Sequence, residues 1–289
     1  MLGTNKINKI HFIGVGGAGM SGIAEILLNL NFQVSGSDLL ESKITKRLES
    51  LGLVFFDMHE GENLSEVDLV VFSSAIKQDN PEILEAKKNN IKIMKRAEIL
   101  AELTNLKKSI LIAGSHGKTT TTCIAAHIFK ENNLDPTYII GGKVSSFESN
   151  ANLGEGKHIF AEADESDGSF LLFNPDKAII TGIDNDHLET YQGNIENLKK
   201  AFVDFIKKVK STVFILDLEK KWIKDLSFGT EKIITYGFSS DADYKIIHYS
   251  QNQKGSSFVV KDKKSDLEHL FEIGIHGQHN LSLIHISEP

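Results

Sequence analysis

The chain has 289 residues, 40% hydrophobic and 25% charged, which is ordinary globular composition with room for about two domains. A net charge of −7 argues against a broad nucleic-acid-binding face, so any anionic ligand must be held by local loops. The single cysteine, Cys123, excludes an internal disulfide and fits a reducing cytoplasm. No apolar run reaches membrane-spanning length and the N-terminus lacks a signal-peptide core, so the chain is expected to be cytoplasmic with no membrane partner.

In chain order, apolar runs of strand length alternate with helical patterns. "KIHFIGV" (Lys9–Val15) reads as a buried strand and "SGIAEILLNL" as the helix after it. "FQVSGSD", "VDLVVFSSAI" and "IKIMKR" read as three further strands. A new strand-loop-helix unit starts at "SILIAGSHGKTTTT" (Ser109–Thr122). Strands follow at "TYIIGG", "HIFAEAD", "KAIITGI", "TVFILD" and "KIITYG", with the helix "NIENLKKAFVDFIKKV" between two of them. Such alternation predicts parallel sheets covered on both faces. From Asp243 to Ile275 shorter polar-apolar alternation around "NQKG" predicts appended antiparallel hairpins. The domain boundary is placed near "AELTNLKK" (Ala101–Lys108).

Two loops carry the chemistry. "GVGGAGMSG" holds Gly14-x-Gly16-x-x-Gly19 between a strand and a helix, with Asp38 at the end of the second strand. Glycines there let a backbone approach a pyrophosphate at the helix N-terminus, and the acid can bind a ribose hydroxyl. Alone, this supports an NAD-dependent oxidoreductase as well as any other nucleotide binder; a tight turn without ligand is the bland alternative. The additional Gly17 and Gly22 make the turn unusually bare.

"AGSHGKTTTT" is a shortened phosphate loop, because its upstream glycine, Gly114, lies only three residues before Gly117. Backbone N–H groups of Gly114–Gly117 can still form an anion nest. Lys118 can reach β and γ phosphates, and the Thr119 hydroxyl can ligate Mg²⁺. "EADESD" (Glu162–Asp167) follows a strand and offers hard oxygen ligands, although a solvated acidic turn remains open for Asp164 and Asp167. "TGIDNDHLE" follows another strand and supplies Asp184, Asp186 and His187. Cys123, inside the helix after the phosphate loop, reads as a small buried filler.

These motifs, in this order, resemble the Mur ligase family. The likeness is carried by "GVGGAGMSGIAE", "SGSD", "VVFSSAI", "KRAEIL", "AGSHGKTTTT", "SNANLGEG", "EADESDGSFL" and "DNDHLETY", and it runs from about Lys9 to Asn280. The resemblance implies a Rossmann-like N-terminal parallel-sheet domain over 1–107. A phosphate-loop α/β central domain with appended antiparallel strands would follow over 108–280. A C-terminal ligase domain would be missing. It further implies ATP-dependent ligation of L-alanine to the lactyl carboxylate of UDP-N-acetylmuramate, through an acyl phosphate, with Mg²⁺.

Residue by residue, the resemblance makes Gly14, Gly16, Gly17 and Gly19 the cradle of the UDP pyrophosphate. Asp38, Ser73, Ser74 and Arg96 would frame the UDP-sugar, and Asn150 would lie near its sugar end. ATP would fall to Gly114, Ser115, His116, Gly117, Lys118, Thr119 and Thr120, with His279 and Asn280 at the adenine. Lys118, Glu162 and His187 would be the catalytic set, and Thr119, Glu162 and His187 the metal ligands. Nucleic acid is not an expected partner, and oligomeric state is not implied. The alternatives are a peptide-recycling ligase acting on the same sugar and a non-catalytic nucleotide-binding fragment.

The end of the chain departs from the family. Ile284 stands where another asparagine is expected. "LSLIHISEP" (Leu281–Pro289) resembles the translation of a sequencing adapter, with a naturally short variant as the alternative. The expectation is a non-native tail on a gene cut at about residue 280, lacking the amino-acid site and having little ligase activity by itself.

Overall fold

The computed structural model describes residues 7–142, 149–216 and 233–274. His279, Asn280 and the expected tail lie outside them. Secondary structure runs β1 (Lys9–Ile13), α1 (Ala18–Asn29), β2 (Gln33–Ser37), α2 (Lys43–Ser50), β3 (Val54–Phe56), β4 (Leu69–Phe72), α3 (Pro81–Lys88), β5 (Lys92–Lys95) and α4 (Arg96–Thr104). It continues with β6 (Lys108–Ala113), α5 (Lys118–Glu131), β7 (Thr137–Ile139), β8 (Ala151–Asn152), β9 (His158–Glu162) and β10 (Lys177–Ile180). The last elements are α6 (Ile195–Lys208), β11 (Thr212–Leu216), β12 (Ile233–Gly237), β13 (Tyr244–Asn252), β14 (Gly255–Asp262) and β15 (Glu268–Ile273).

Contacts divide the chain into two compact units, Met1–Lys108 with Ala126–Ala161, and Ser109–Ala125 with Glu162–Pro289. In the first unit a parallel sheet has the order β3-β2-β1-β4-β5. Strand order reverses between β1 and β4, and in open α/β sheets ligands bind at the carboxyl ends of strands beside that switch point. The glycine loop after β1 and the Ser73–Ile76 turn after β4 therefore stand where a ligand is expected. The sheet core is apolar because β1 and β4 bury nearly every side chain, among them Ile10, Phe12, Ile13, Leu69, Val70 and Val71.

One strand of this sheet is absent from the sequence reading. β3 is three residues long, and only β2 pairs with it. Its Val54-Phe55-Phe56 run is apolar, but three residues are too short for periodicity to tell a strand from the end of a helix. The two-residue β8, which pairs with β7, is missed for the same reason.

In the second unit β15, β14, β13, β12, β11, β10 and β6 lie side by side in that order. β6, β10, β11 and β12 are parallel, and β13 joins β12 in parallel through Tyr236↔Tyr244. β13, β14 and β15 are antiparallel, as the alternation predicted. Asn252 and Gly255 close the first hairpin around Gln253 and Lys254. α6 is capped by Asn194, which accepts the Glu196 N–H at 2.8 Å, and it buries Leu198, Ala201, Phe202, Phe205 and Ile206 along one face. Phe170 packs against Phe202 and Phe205 at ring separations of 5.0 and 5.2 Å, and so ties the segment after β9 to this helix.

Candidate functional site

In the first unit the loop between β1 and α1 is shaped by β2. The N–H groups of Gly14 and Val15 both donate to Ser37 O, at 2.8 and 3.1 Å, and Gly16 N–H donates to Asp38 Oδ2 at 2.9 Å. Gly14 has φ +77°, and a Cβ on Gly16 would stand 2.8 Å from Asp38 Oδ2. Asp38 thus holds the backbone closed, Gly14 meets the left-handed turn, and a side chain on Gly16 would have to displace the Asp38 carboxylate. Gly17 caps α1 without a side-chain partner, and the first turn carries no acid, so its N–H groups suit an anion.

Arg96, at the start of α4, lies against Gly19: a Cβ there would meet Nη1 at 3.0 Å. Ile76, two residues past Ser74, comes within 3.3 Å of a Cβ built on Gly14. The turn bearing half-buried Ser73 and exposed Ser74 is therefore adjacent to the glycine loop. Asn150 Nδ2 donates to Ala18 O in the first turn of α1. Gly22 has a different job from the bare turn expected of it. It lies within α1, where a Cβ would meet Ala151 Cβ at 3.3 Å and Ile139 Cγ2 at 3.5 Å, so its smallness serves helix–strand packing.

A buried polar network, not anticipated from sequence, lies behind this loop. Glu82, in the first turn of α3 and fully buried, is bonded to His11 Nε2 (3.0 Å), His59 Nδ1 (3.0 Å), Ser37 Oγ (2.6 Å) and Asn63 Nδ2 (2.8 Å). Burial raises its pKa, but bonds from and charge on His11, with Ser37 and Asn63, outweigh it and hold the carboxyl below the ordinary value.

In the second unit the phosphate loop links β6 to α5. Gly114 has φ +131° and Gly117 φ +79°. The loop is stitched to the segment after β10: Ser115 N–H donates to Gly182 O at 3.0 Å, and Asp184 N–H to Ser115 Oγ at 2.9 Å. Thr181 Oγ1 donates to His116 O, and His116 Nε2 meets Asp186 Oδ2 at 2.8 Å. α5 has no acid in its first turn, where Thr120 also lies, so its N-terminus is open to an anion. Within the threonine run, Thr122 Oγ1 donates back to Lys118 O at 2.9 Å, which satisfies the hydroxyl inside the helix.

Two acids, Glu162 at the end of β9 and Glu165 in the turn after it, divide the loop's side chains between them. Thr119 Oγ1 donates to Glu162 Oε2 at 3.1 Å. Lys118 Nζ donates to Gly114 O at 2.8 Å and to both oxygens of Glu165, at 3.0 and 2.8 Å. Glu165 is 1% exposed, and burial pushes its carboxyl up, with Lys118 opposing. It is the residue that sequence reasoning passed over, and no local pattern separates it from Asp164. Asp164 Oδ1 stays 3.8 Å from Nζ, and Asp167 is exposed.

Hard oxygens on Thr119 and Glu162 fit Mg²⁺, which takes few protein ligands beside phosphates and waters. Among the described residues no three His, Cys, Asp or Glu side chains cluster to hold a metal by themselves. His187 is exposed in the turn after β10, with φ +54°. Cys123, expected to be a buried filler, is only partly buried; burial first, then the charge of Glu162, pushes its thiol up to about 11.

Family models match both halves of the chain: the Mur ligase family catalytic domain over residues 9–108, and the Mur ligase middle domain over residues 112–284. The chain belongs to the Mur ligase family. It is 50% identical over 260 residues to UDP-N-acetylmuramate–L-alanine ligase of Geobacter sulfurreducens, covering 89% of this chain and 56% of that protein. It is 48% identical over 278 residues to the ligase of that name from Trichlorobacter lovleyi, covering 96% of this chain and 61% of that one. The crystal structure of UDP-N-acetylmuramate-alanine ligase from Thermotoga maritima matches with a TM-score of 0.82 at 30% identity, over 96% of this chain and 64% of that one. This Mur ligase chain thus spans less than two thirds of the length of these relatives.

Proposed function

We propose that this chain carries the sugar-nucleotide and ATP sites of a ligase that joins L-alanine to the lactyl carboxylate of UDP-N-acetylmuramate. The observation that carries the proposal is the phosphate loop with Lys118 and Thr119 each held by an acid, in a chain half identical to ligases of that name. The functional division is 1–107 for the sugar nucleotide and 108–280 for ATP, in a cytoplasmic setting. Among the described residues no helix is long and apolar enough to cross a membrane.

A carboxylate is a poor acyl donor because its leaving group would be oxide. Attack of the lactyl carboxylate on the γ-phosphate yields an acyl phosphate and ADP. The alanine amine then attacks the acyl carbon, and phosphate departs. Lys118 neutralises charge on the transferring group, and the N–H groups of Gly114–Gly117 with Thr120 hold the phosphates. His116 and Ser115 keep the loop in shape through Thr181 and Asp184. Mg²⁺, when bound, supplies further charge neutralisation, with Thr119, Glu162 and His187 as its assigned protein ligands. Gly14, Gly16, Gly17 and Gly19 cradle the UDP pyrophosphate. Asp38, Ser73, Ser74, Arg96 and Asn150 are assigned to the rest of the sugar nucleotide, and His279 and Asn280 to adenine.

Calorimetric titration of this chain with UDP-N-acetylmuramate and with ATP and Mg²⁺ tests both sites, and binding of NAD⁺ in their place overturns the reading. In a protein of the relatives' full length, ADP release with each substrate omitted in turn tests ligation. A tripeptide in place of alanine distinguishes the recycling alternative.

A further inference from the structure

We infer that Glu165 is a built-in anion that occupies Lys118 in the nucleotide-free site, competes with the γ-phosphate, and thereby selects metal-bound over metal-free nucleoside triphosphate. This rests on the proposed ATP reading of the loop and goes beyond it. An ammonium has three N–H donors. Those of Lys118 face Gly114 O and the two Glu165 oxygens, all within 3.0 Å, so a phosphate oxygen can engage the lysine only by displacing one of them.

The displaced partner cannot easily retreat. The turn bearing Glu165 is pinned, with Gly168 N–H donating to Glu165 O at 3.0 Å and the Tyr191 hydroxyl donating to the same oxygen. On either side, Ser166 N–H donates to Asp164 Oδ1 at 3.1 Å and Phe170 N–H to Asp164 O at 2.9 Å. Gly168, at φ +73°, lets the chain turn there. A triphosphate entering this loop therefore brings its charge against a buried carboxylate on a pinned turn, and one lysine cannot neutralise both. A divalent cation arriving with the nucleotide, next to Thr119 and Glu162, removes that conflict. The two acids thus have separate tasks, with Glu162 directed to the metal side and Glu165 to the lysine.

The test is calorimetric titration of this chain with ATP, in chelator and in excess Mg²⁺, for the wild type and Glu165→Gln. The glutamine variant is expected to bind metal-free ATP about tenfold tighter or more, the scale of one hydrogen bond to a charged group. Its dependence on Mg²⁺ should shrink by the same factor. Asp164→Asn, which removes a nearby charge 3.8 Å from Nζ, should change either affinity by less than about threefold. Glu165→Asp, which withdraws the carboxylate by one methylene, should fall between wild type and glutamine, and it serves if circular dichroism shows the glutamine variant misfolded. Equal or weaker metal-free binding by the Glu165 variants, with wild-type affinity for ATP and Mg²⁺ intact, overturns the inference. Failure of the wild type to bind ATP even with Mg²⁺ overturns the nucleotide reading, and the competition with it.

Discussion

A Cβ on Gly114 would stand 2.3 Å from Thr181 Oγ1, while that hydroxyl itself donates to His116 O two residues along the phosphate loop. Thr181, fully buried at the end of β10, therefore works as a template for the loop. Gly114 is the residue whose missing side chain makes the template fit.

Gly114→Ala should consequently destabilise the chain by about 2–4 kcal/mol, adding backbone strain at φ +131° to a clash with Thr181 and with Gly182 O at 2.8 Å. Urea denaturation measures this. A loss under about 0.5 kcal/mol would show that the loop relaxes without its template.

Lys118→Ala removes the partner of a buried carboxylate. A loss of about 3–5 kcal/mol is expected at pH 7, together with collapse of turnover in a full-length ligase. Glu165 already has a raised pKa, and without Lys118 it rises further. A raised carboxyl loses stability as pH climbs through its folded value, so the deficit of Lys118→Ala should shrink toward pH 5. Denaturation of both proteins at pH 5 and pH 7 checks the sign, and retention of most of kcat would refute the role given to Lys118.

Glu82→Gln should cost about 2 kcal/mol near neutral pH, because an amide cannot accept from four donors. The Glu82 carboxyl is held below 4.5, its unperturbed value. Its contribution is therefore complete above 4.5 and fades as pH drops through the lowered folded value. Wild type and variant should converge in acid. A pH-independent difference would mean that packing, not charge, sets the cost.

Gly22→Leu should destabilise by about 2–3 kcal/mol by forcing α1 away from Ala151 and Ile139, with Gly22→Ala far milder at 3.3 Å from Ala151 Cβ. Thermal unfolding of the pair measures the gradient. Equal melting temperatures would mean that helix and strands are not in firm contact.

Both strand-loop-helix turns were legible because their signal is local: a strand, glycines at fixed offsets, then a helix. The parallel sheets and the terminal hairpins were legible from apolar period alone. β3 and β8 were not, since two or three residues carry no period. Glu165 was hidden among four acids in six residues, and Glu82 looked like an ordinary acid in the first turn of a helix.

What the sequence determined by itself, then, was where the chain turns, where glycine loops join strands to helices, and which faces are apolar. Each depends on residues within one turn or one strand of each other. Only the tertiary structure decided which acid meets Lys118, that Thr181 shapes a loop 65 residues before it, and that Glu82 collects two histidines and a serine. Those pairings follow from strand order, register and the direction a pinned turn gives a side chain. None of these is encoded in the spacing of the residues that meet.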